Sequence, residues 1–270
     1  MTVTPVRLWS TDAPFLYTVN VTADWTAKRD AYEIPRVGFR ELRVVNGVFM
    51  FNGKRFYPKC THGVPTGDDT YLRTERNPKD LVPDFAMMKN AGFNMYRPFA
   101  HAAYPSQLAQ ADELGFLIYN EHPGTCWNVP VHHFGLDLPE LIRRDRNHPS
   151  VVIWGLLNER GGGVWASPSG KPVTAAAVSM LPALRKVDDT RLFLLDSGSP
   201  GMSNPGSTTW DVQMNDYHLY PAYPLSWGGV GGVQGGFCSE GSIGSSWNPY
   251  ASRRIRQRLG AANDELCAPL

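Results

Sequence analysis

Two carboxylates in this sequence follow apolar, strand-like runs. In VVIWGLLNER (151–160) the apolar run stops at Asn158-Glu159-Arg160, and in GFCSEGS (236–242) Glu240 follows a shorter one. A carboxylate at the tip of a buried segment costs on the order of several kcal/mol unless it is paired or put to use. Two carboxylates facing each other across a pocket can cleave a glycosidic bond. One is protonated and donates to the leaving oxygen; the other is ionised and attacks carbon or activates water. An arginine beside the ionised group keeps its pKa low, while the acid needs a drier or more negative setting. Asn158 is placed to hydrogen-bond a sugar hydroxyl and Tyr217 to hold the nucleophile, with Trp127, Trp154 and Trp227 as candidates for stacking on a sugar ring.

Plainer roles compete for the same residues. Glu159 suits a structural ion pair with Arg160 or Arg97, and Glu240 sits in a Gly/Ser-rich segment where a loop carboxylate is ordinary. His62, His101, His122 and His218 each suit a hydrogen-bonded surface or core histidine. Glu121-His122 with His132-His133 matches no specific ligand spacing, so no catalytic metal is expected. A metal-dependent amidohydrolase would need clustered histidines on the first strand, and KCTHGVP (59–65) offers a single one. No G-x-S-x-G elbow is present.

The elements that must position these residues fall into two regions. Up to about residue 50 the chain alternates apolar and polar residues, as in FLYTVNVTADW, with turns expected at Asn46-Gly47 and Asn52-Gly53. Beyond it, helical spacing (78–92, 106–115, 136–148, 172–188) alternates with short apolar runs. The latter predict strands near 56–60, 94–99, 116–121, 151–158, 191–196, 212–217 and 236–240. Such an alternation predicts parallel βαβ units, and at this length a (β/α)₈ barrel. In that fold the strand C-termini converge on one mouth. Reading them off brings together His62, Arg97 with His101 beyond it, Glu121, Asn158-Glu159, Tyr217-His218 and Glu240. The run GGVGGVQGG (228–236) lacks the features of a phosphate loop and reads as a flexible loop.

Composition narrows the partners. The 26 basic and 25 acidic residues of this 270-residue chain leave a net charge of +1, which suggests neither nucleic acid nor an anionic membrane surface. SRRIRQR (252–258) reads as a solvated helix face. The 4 cysteines are far apart, without a zinc-ribbon or disulfide pattern. The N-terminus has no charged region followed by an apolar one, and no apolar run is long enough to span a bilayer; a cytoplasmic protein is expected, unless the N-terminus is truncated.

Several motifs together resemble glycoside hydrolase family 2, which contains β-galactosidases, β-glucuronidases and β-mannosidases. HPSVVIWGLLNE (148–159) resembles the family's acid/base strand. DFAMMKNAGFNMYRP (84–98), ADELGFLIYNEHPG (111–124) and FCSEGS (237–242) follow in the family's order. LWSTDAPFLYTVNV (8–21) resembles the last part of the family's immunoglobulin-like domain, and VGFRELRVVNGVFMFNGKRF (37–56) the passage into the barrel. The resemblance implies a partial immunoglobulin-like β segment over 1–50 and a (β/α)₈ catalytic barrel over 51–270. It implies a retaining exo-β-glycosidase with Glu159 as acid/base and Glu240 as nucleophile. Asn158 would bind the sugar 2-hydroxyl, and Arg97 and Tyr217 would position and ionise Glu240. His62, His101, Glu121, His218 and Trp127 are the further expected substrate contacts. No cofactor is implied; the expected partner is a small carbohydrate. The sequence departs from the family after Arg97, where RPFAHAAYP replaces a compact Arg-x-x-His, and after Glu240, where Gly-Ser-Ile-Gly follows. No eighth strand is legible. A fragment of a longer protein is therefore expected, either active or a non-catalytic relic, with open edges that an oligomeric partner could cover.

Overall fold

Alternation in TVNVTADW marks the first strand of an antiparallel ribbon. β1 (Tyr17–Trp25) pairs with β2 (Lys28–Val37). The computed structural model describes residues 4–26, 28–63, 81–98, 102–122, 131–158, 170–197, 200–219 and 236–241; at some of these positions, His62, Tyr217, His218 and Glu240 among them, only the backbone is described. Next come β3 (Leu42–Val45), β4 (Val48–Phe51) and β5 (Lys54–Arg55), joined antiparallel. Their turns are the two Asn-Gly pairs read from the sequence. Asn46, Gly47, Asn52 and Gly53 have φ of 50°, 72°, 50° and 76°, the geometry of a type I′ hairpin turn.

Among the described residues the remaining strands build one 8-stranded sheet. In sheet order they are β6 (Cys60–Gly63), β7 (Met95–Pro98), β8 (Leu117–Glu121), β9 (Val151–Asn158), β10 (Leu192–Ser197), β11 (Pro200–Ser203), β12 (Asp211–Leu219) and β13 (Gly236–Gly241). β6 to β10 run parallel, as do β12 and β13. The two edges, β6 and β13, come alongside each other, so the sheet curls into a TIM-type barrel. Among the described residues four helices alternate with strands: α1 (Leu81–Asn90), α2 (Pro105–Leu114), α3 (Val131–Asp145) and α4 (Gly170–Val187).

Three features of the sheet differ from the sequence expectation, the first being that its edges adjoin where open ones were expected. The first barrel strand lies at 60–63, not 56–60, because residues 56–59 still serve the β4–β5 hairpin and the crossing to the barrel; Phe56 N–H bonds to Phe49 O. β11 was not anticipated. It is antiparallel to both β10 and β12, and its four residues, PGMS, are too short and too rich in Gly and Pro to give a periodic signal. Phe85 is buried with Met88 packed beside it, and α2 ends at Gly115 (φ 68°). At that glycine a Cβ would sit 2.6 Å from Thr11 O, so both the left-handed backbone and the close approach of the N-terminal segment require it.

Period-two alternation sends barrel side chains to two cores. Ile118, Trp154, Leu156, Phe193 and Leu195 face the helices, packing on Leu108, Leu138, Ile142, Leu181 and Leu184. Met95, Leu117, Tyr119, Ile153, Leu192 and Leu194 share the other cluster with Leu42, Val44, Phe49 and Phe51, so the β3–β4 hairpin packs into the barrel core. β4 runs through residue 50, where the sequence suggested a division, and its core is continuous with the barrel. Trp154, a candidate for sugar stacking, is instead wholly buried on the helix side. Its Nε1 donates to Asp188 Oδ2 at 2.8 Å, and its ring belongs to the helix-side cluster.

Asp188 also accepts from Arg191 Nη1 at 2.8 Å and from the backbone and hydroxyl of Thr190. Burial by itself would raise its pKa; Arg191 and the hydrogen bonds outweigh that and lower it to about 2. Since the folded value lies below the unfolded one, Asp188 contributes stability above about pH 4. That contribution, roughly 2 kcal/mol, is lost as pH falls from about 4 to about 2. Urea titrations of the wild type and Asp188→Asn across this window are expected to converge as pH falls. Parallel curves would rule the assignment out.

Candidate active site

Three neighbouring parallel strands deliver charge to one end of the barrel. Arg97 is near the end of β7, Glu121 is the last residue of β8 and Asn158 the last of β9. Arg97 and Glu121 have the same inward parity as Met95, Leu117 and Tyr119, so the apolar floor continues upward into a polar layer. Both are completely buried, and Asn158 is 1% exposed.

The guanidinium grips the carboxylate from two nitrogens. Nη2 lies 3.0 Å from each of Glu121 Oε1 and Oε2, and Nε lies 3.2 Å from Oε2. Nη2 also donates to Asn158 Oδ1 at 2.6 Å. Because a guanidinium has donors only, the Asn158 oxygen must face it, which turns the amide nitrogen away and fixes the orientation of the whole side chain. The Arg97 Cζ stands 5.2 Å from the centroid of the Tyr119 ring. One layer outward, Asn120 accepts from Ala103 N–H at 2.7 Å and donates to Asp145 Oδ2 at 2.8 Å. That bond ties the residues after β7 to α3 and anchors β8 from its outer face.

Of the residues read from the sequence, Arg97, Glu121 and Asn158 are thus brought together. The backbone of His62 pairs in register with Arg97 on the neighbouring strand. Tyr217 pairs with Cys238 and His218 with Glu240 across β12 and β13, and β13 adjoins β6, so Glu240 and His62 stand on adjacent strands. Glu159 follows the last residue of β9 and lies outside the described residues, as do His101, Trp127, Trp227, most of the Gly-rich run and SRRIRQR. Sequence reading missed Tyr119 and Gly155. A single glycine within an apolar strand is a sign of close approach, and here a Cβ on Gly155 would fall 2.5 Å from Tyr119 Cε2. Among the described residues no group of three or more His, Cys, Asp or Glu is placed to hold a metal, and no helix is long and apolar enough to cross a membrane.

A largely parallel barrel with buried polar side chains gathered at strand C-termini is a TIM-type barrel, a fold that carries its sites at that end. Residues 133–224 match the model of the family described as glycosyl hydrolases family 2, TIM barrel domain. The β-glucuronidase of Homo sapiens is 35% identical over 139 residues, covering 48% of this chain and 21% of that protein. The β-glucuronidase of Canis lupus familiaris is 35% identical over 158 residues, covering 54% and 24%. The crystal structure of Parabacteroides merdae β-glucuronidase superposes with a TM-score of 0.59 at 27% identity, over 69% of this chain and 24% of that one. The chain is thus similar to members of glycoside hydrolase family 2, and it spans about a fifth to a quarter of the length of the curated relatives it matches.

Proposed function

We propose that this chain carries the catalytic barrel of a retaining β-glycosidase whose substrates are β-glucuronides. The observation that carries this reading is the buried Arg97–Glu121–Asn158 cluster at the ends of neighbouring barrel strands, immediately before Glu159. A wholly buried ion pair is a poor source of net stability, and its placement at a barrel mouth favours a part in the site. The sugar is named from the relatives, which are β-glucuronidases.

In the proposed reaction the Glu240 carboxylate attacks the anomeric carbon as Glu159 gives its proton to the departing glycosidic oxygen. Glu159, now ionised, takes a proton from water, and the resulting oxygen nucleophile displaces Glu240 from the same carbon with overall retention. Asn158, held by Arg97, directs its amide at the sugar 2-hydroxyl, a contact that strengthens as charge develops on the ring. Arg97 and Tyr217 contribute to positioning Glu240, with His62, His101, His218 and Trp127 as further substrate contacts.

The test is hydrolysis of aryl β-glucuronide, β-galactoside, β-mannoside and β-glucoside by purified protein, with the first-formed anomer followed by NMR. Cleavage of the glucuronide with the β-anomer appearing first is the expected result. An α-anomer would exclude double displacement, and cleavage of another sugar would reassign the substrate. If a folded chain cleaves nothing, it is instead a carbohydrate-binding relic of the family.

A further inference from the structure

The Tyr119 ring fills the space that Gly155 leaves. A Cβ at position 155 would lie 2.5 Å from Tyr119 Cε2 and 2.9 Å from its hydroxyl oxygen, so no side chain fits there while the ring does. The two residues face each other across the β8–β9 ladder, where Tyr119 pairs with Ile153 and Glu121 with Gly155. Tyr119 is completely buried in the barrel's inner cluster, two residues below Glu121 on the same face. Above it lies the Arg97 guanidinium, at 5.2 Å from the ring centroid. An aromatic face attracts a cation at this distance, more strongly where water is excluded.

We propose that Tyr119 is a positioning residue for the glycosidase reaction, bracing the Arg97 guanidinium so that Arg97 holds Asn158 in its working orientation; this rests on the function proposed above. An arginine side chain has several rotatable bonds, and its guanidinium must be limited on the side away from Glu121 and Asn158 as well as held by them. The ring supplies that limit from below. Gly155 belongs to the same device, because any larger residue would drive the ring away. Asn158 immediately precedes Glu159, so a tilt at Asn158 displaces both the 2-hydroxyl contact and the acid/base.

The test compares Tyr119→Phe with Tyr119→Leu, each alone and in an Asn158→Ala background. NMR of the Arg97 guanidinium serves as a readout that needs no turnover. Tyr119→Phe keeps the ring, and its kcat is expected within about twofold of wild type. Tyr119→Leu is expected to lower kcat roughly tenfold with KM little changed, since the lost contact matters most in the transition state. In Asn158→Ala the Leu substitution is expected to have almost no further effect, because the two residues act in series. The guanidinium signals should show hindered rotation in wild type and Tyr119→Phe and free rotation in Tyr119→Leu. Equal losses in Phe and Leu, full additivity with Asn158→Ala, or hindered rotation persisting in Tyr119→Leu would each overturn the proposal. A wild type that cleaves no glycoside overturns the proposed function, and with it the catalytic role of Tyr119, even where the NMR shows the brace intact.

Discussion

Glu159→Ala is expected to lower turnover of a glycoside with a poor leaving group by roughly 10²–10⁴-fold, the usual contribution of general acid–base catalysis. A glycoside with a good leaving group, such as a dinitrophenolate, needs no proton at departure, so the first displacement should be nearly unimpaired. Hydrolysis of the glycosyl-enzyme then becomes slow, since water has lost its base. Azide needs no deprotonation; it should restore turnover and yield the β-glycosyl azide, the azide nitrogen bonding to the anomeric carbon as Glu240 leaves. Glu240→Gln should abolish turnover of both substrates and gain nothing from azide, because the covalent intermediate cannot form. Kinetics with and without azide, plus NMR of the product, check all of this. Rescue in the Glu240 variant but not the Glu159 variant would exchange their roles; rescue in neither, with activity unimpaired in both, would remove the pair from the mechanism.

Arg97→Met should destabilise the fold by about 3–5 kcal/mol, because it leaves the Glu121 carboxylate buried and without its cation. Both side chains are completely buried, so solvent cannot take over that role. The double variant Arg97→Met/Glu121→Leu should recover much of the loss, since two apolar side chains of similar volume carry no desolvation penalty. Activity should return in neither, as Asn158 loses the donor at 2.6 Å that orients it. Urea unfolding of the single and double variants measures the first part, and the glycoside assay the second. A single variant within about 1 kcal/mol of wild type, or strict additivity in the double, would show that the pair is not the closed unit its distances describe.

The chain's pattern of apolar runs was enough to place most strands and helices, because periods of 2 and 3.6 are local consequences of which face is buried. The Asn-Gly turns were legible for the same kind of reason. Few residue types adopt positive φ twice in succession, and the structure has all four in that region. β11 was not legible, for four residues without alternation carry no period, and neither was the packing of the β3–β4 hairpin into the barrel, since apolar alternation does not name the surface it will cover. Trp154 shows the same limit from the other side. Its type suits sugar stacking, and only its packing within the closed sheet turns it toward the helices and Asp188.

For the candidate site, the sequence by itself determined which residues stand at strand ends, because a polar residue after a buried apolar run has to emerge at a mouth or be paired. Tertiary structure decided the pairing. Glu121 and Asn158 lie 24 and 61 residues after Arg97 along the chain, and nothing local says which carboxylate the arginine meets. That depends on the register of parallel strands, fixed by backbone ladders and by core packing on both sheet faces. The same holds for Gly155 and Tyr119. The glycine announces a close approach, but only the ladder between β8 and β9 identifies the ring that fills the gap.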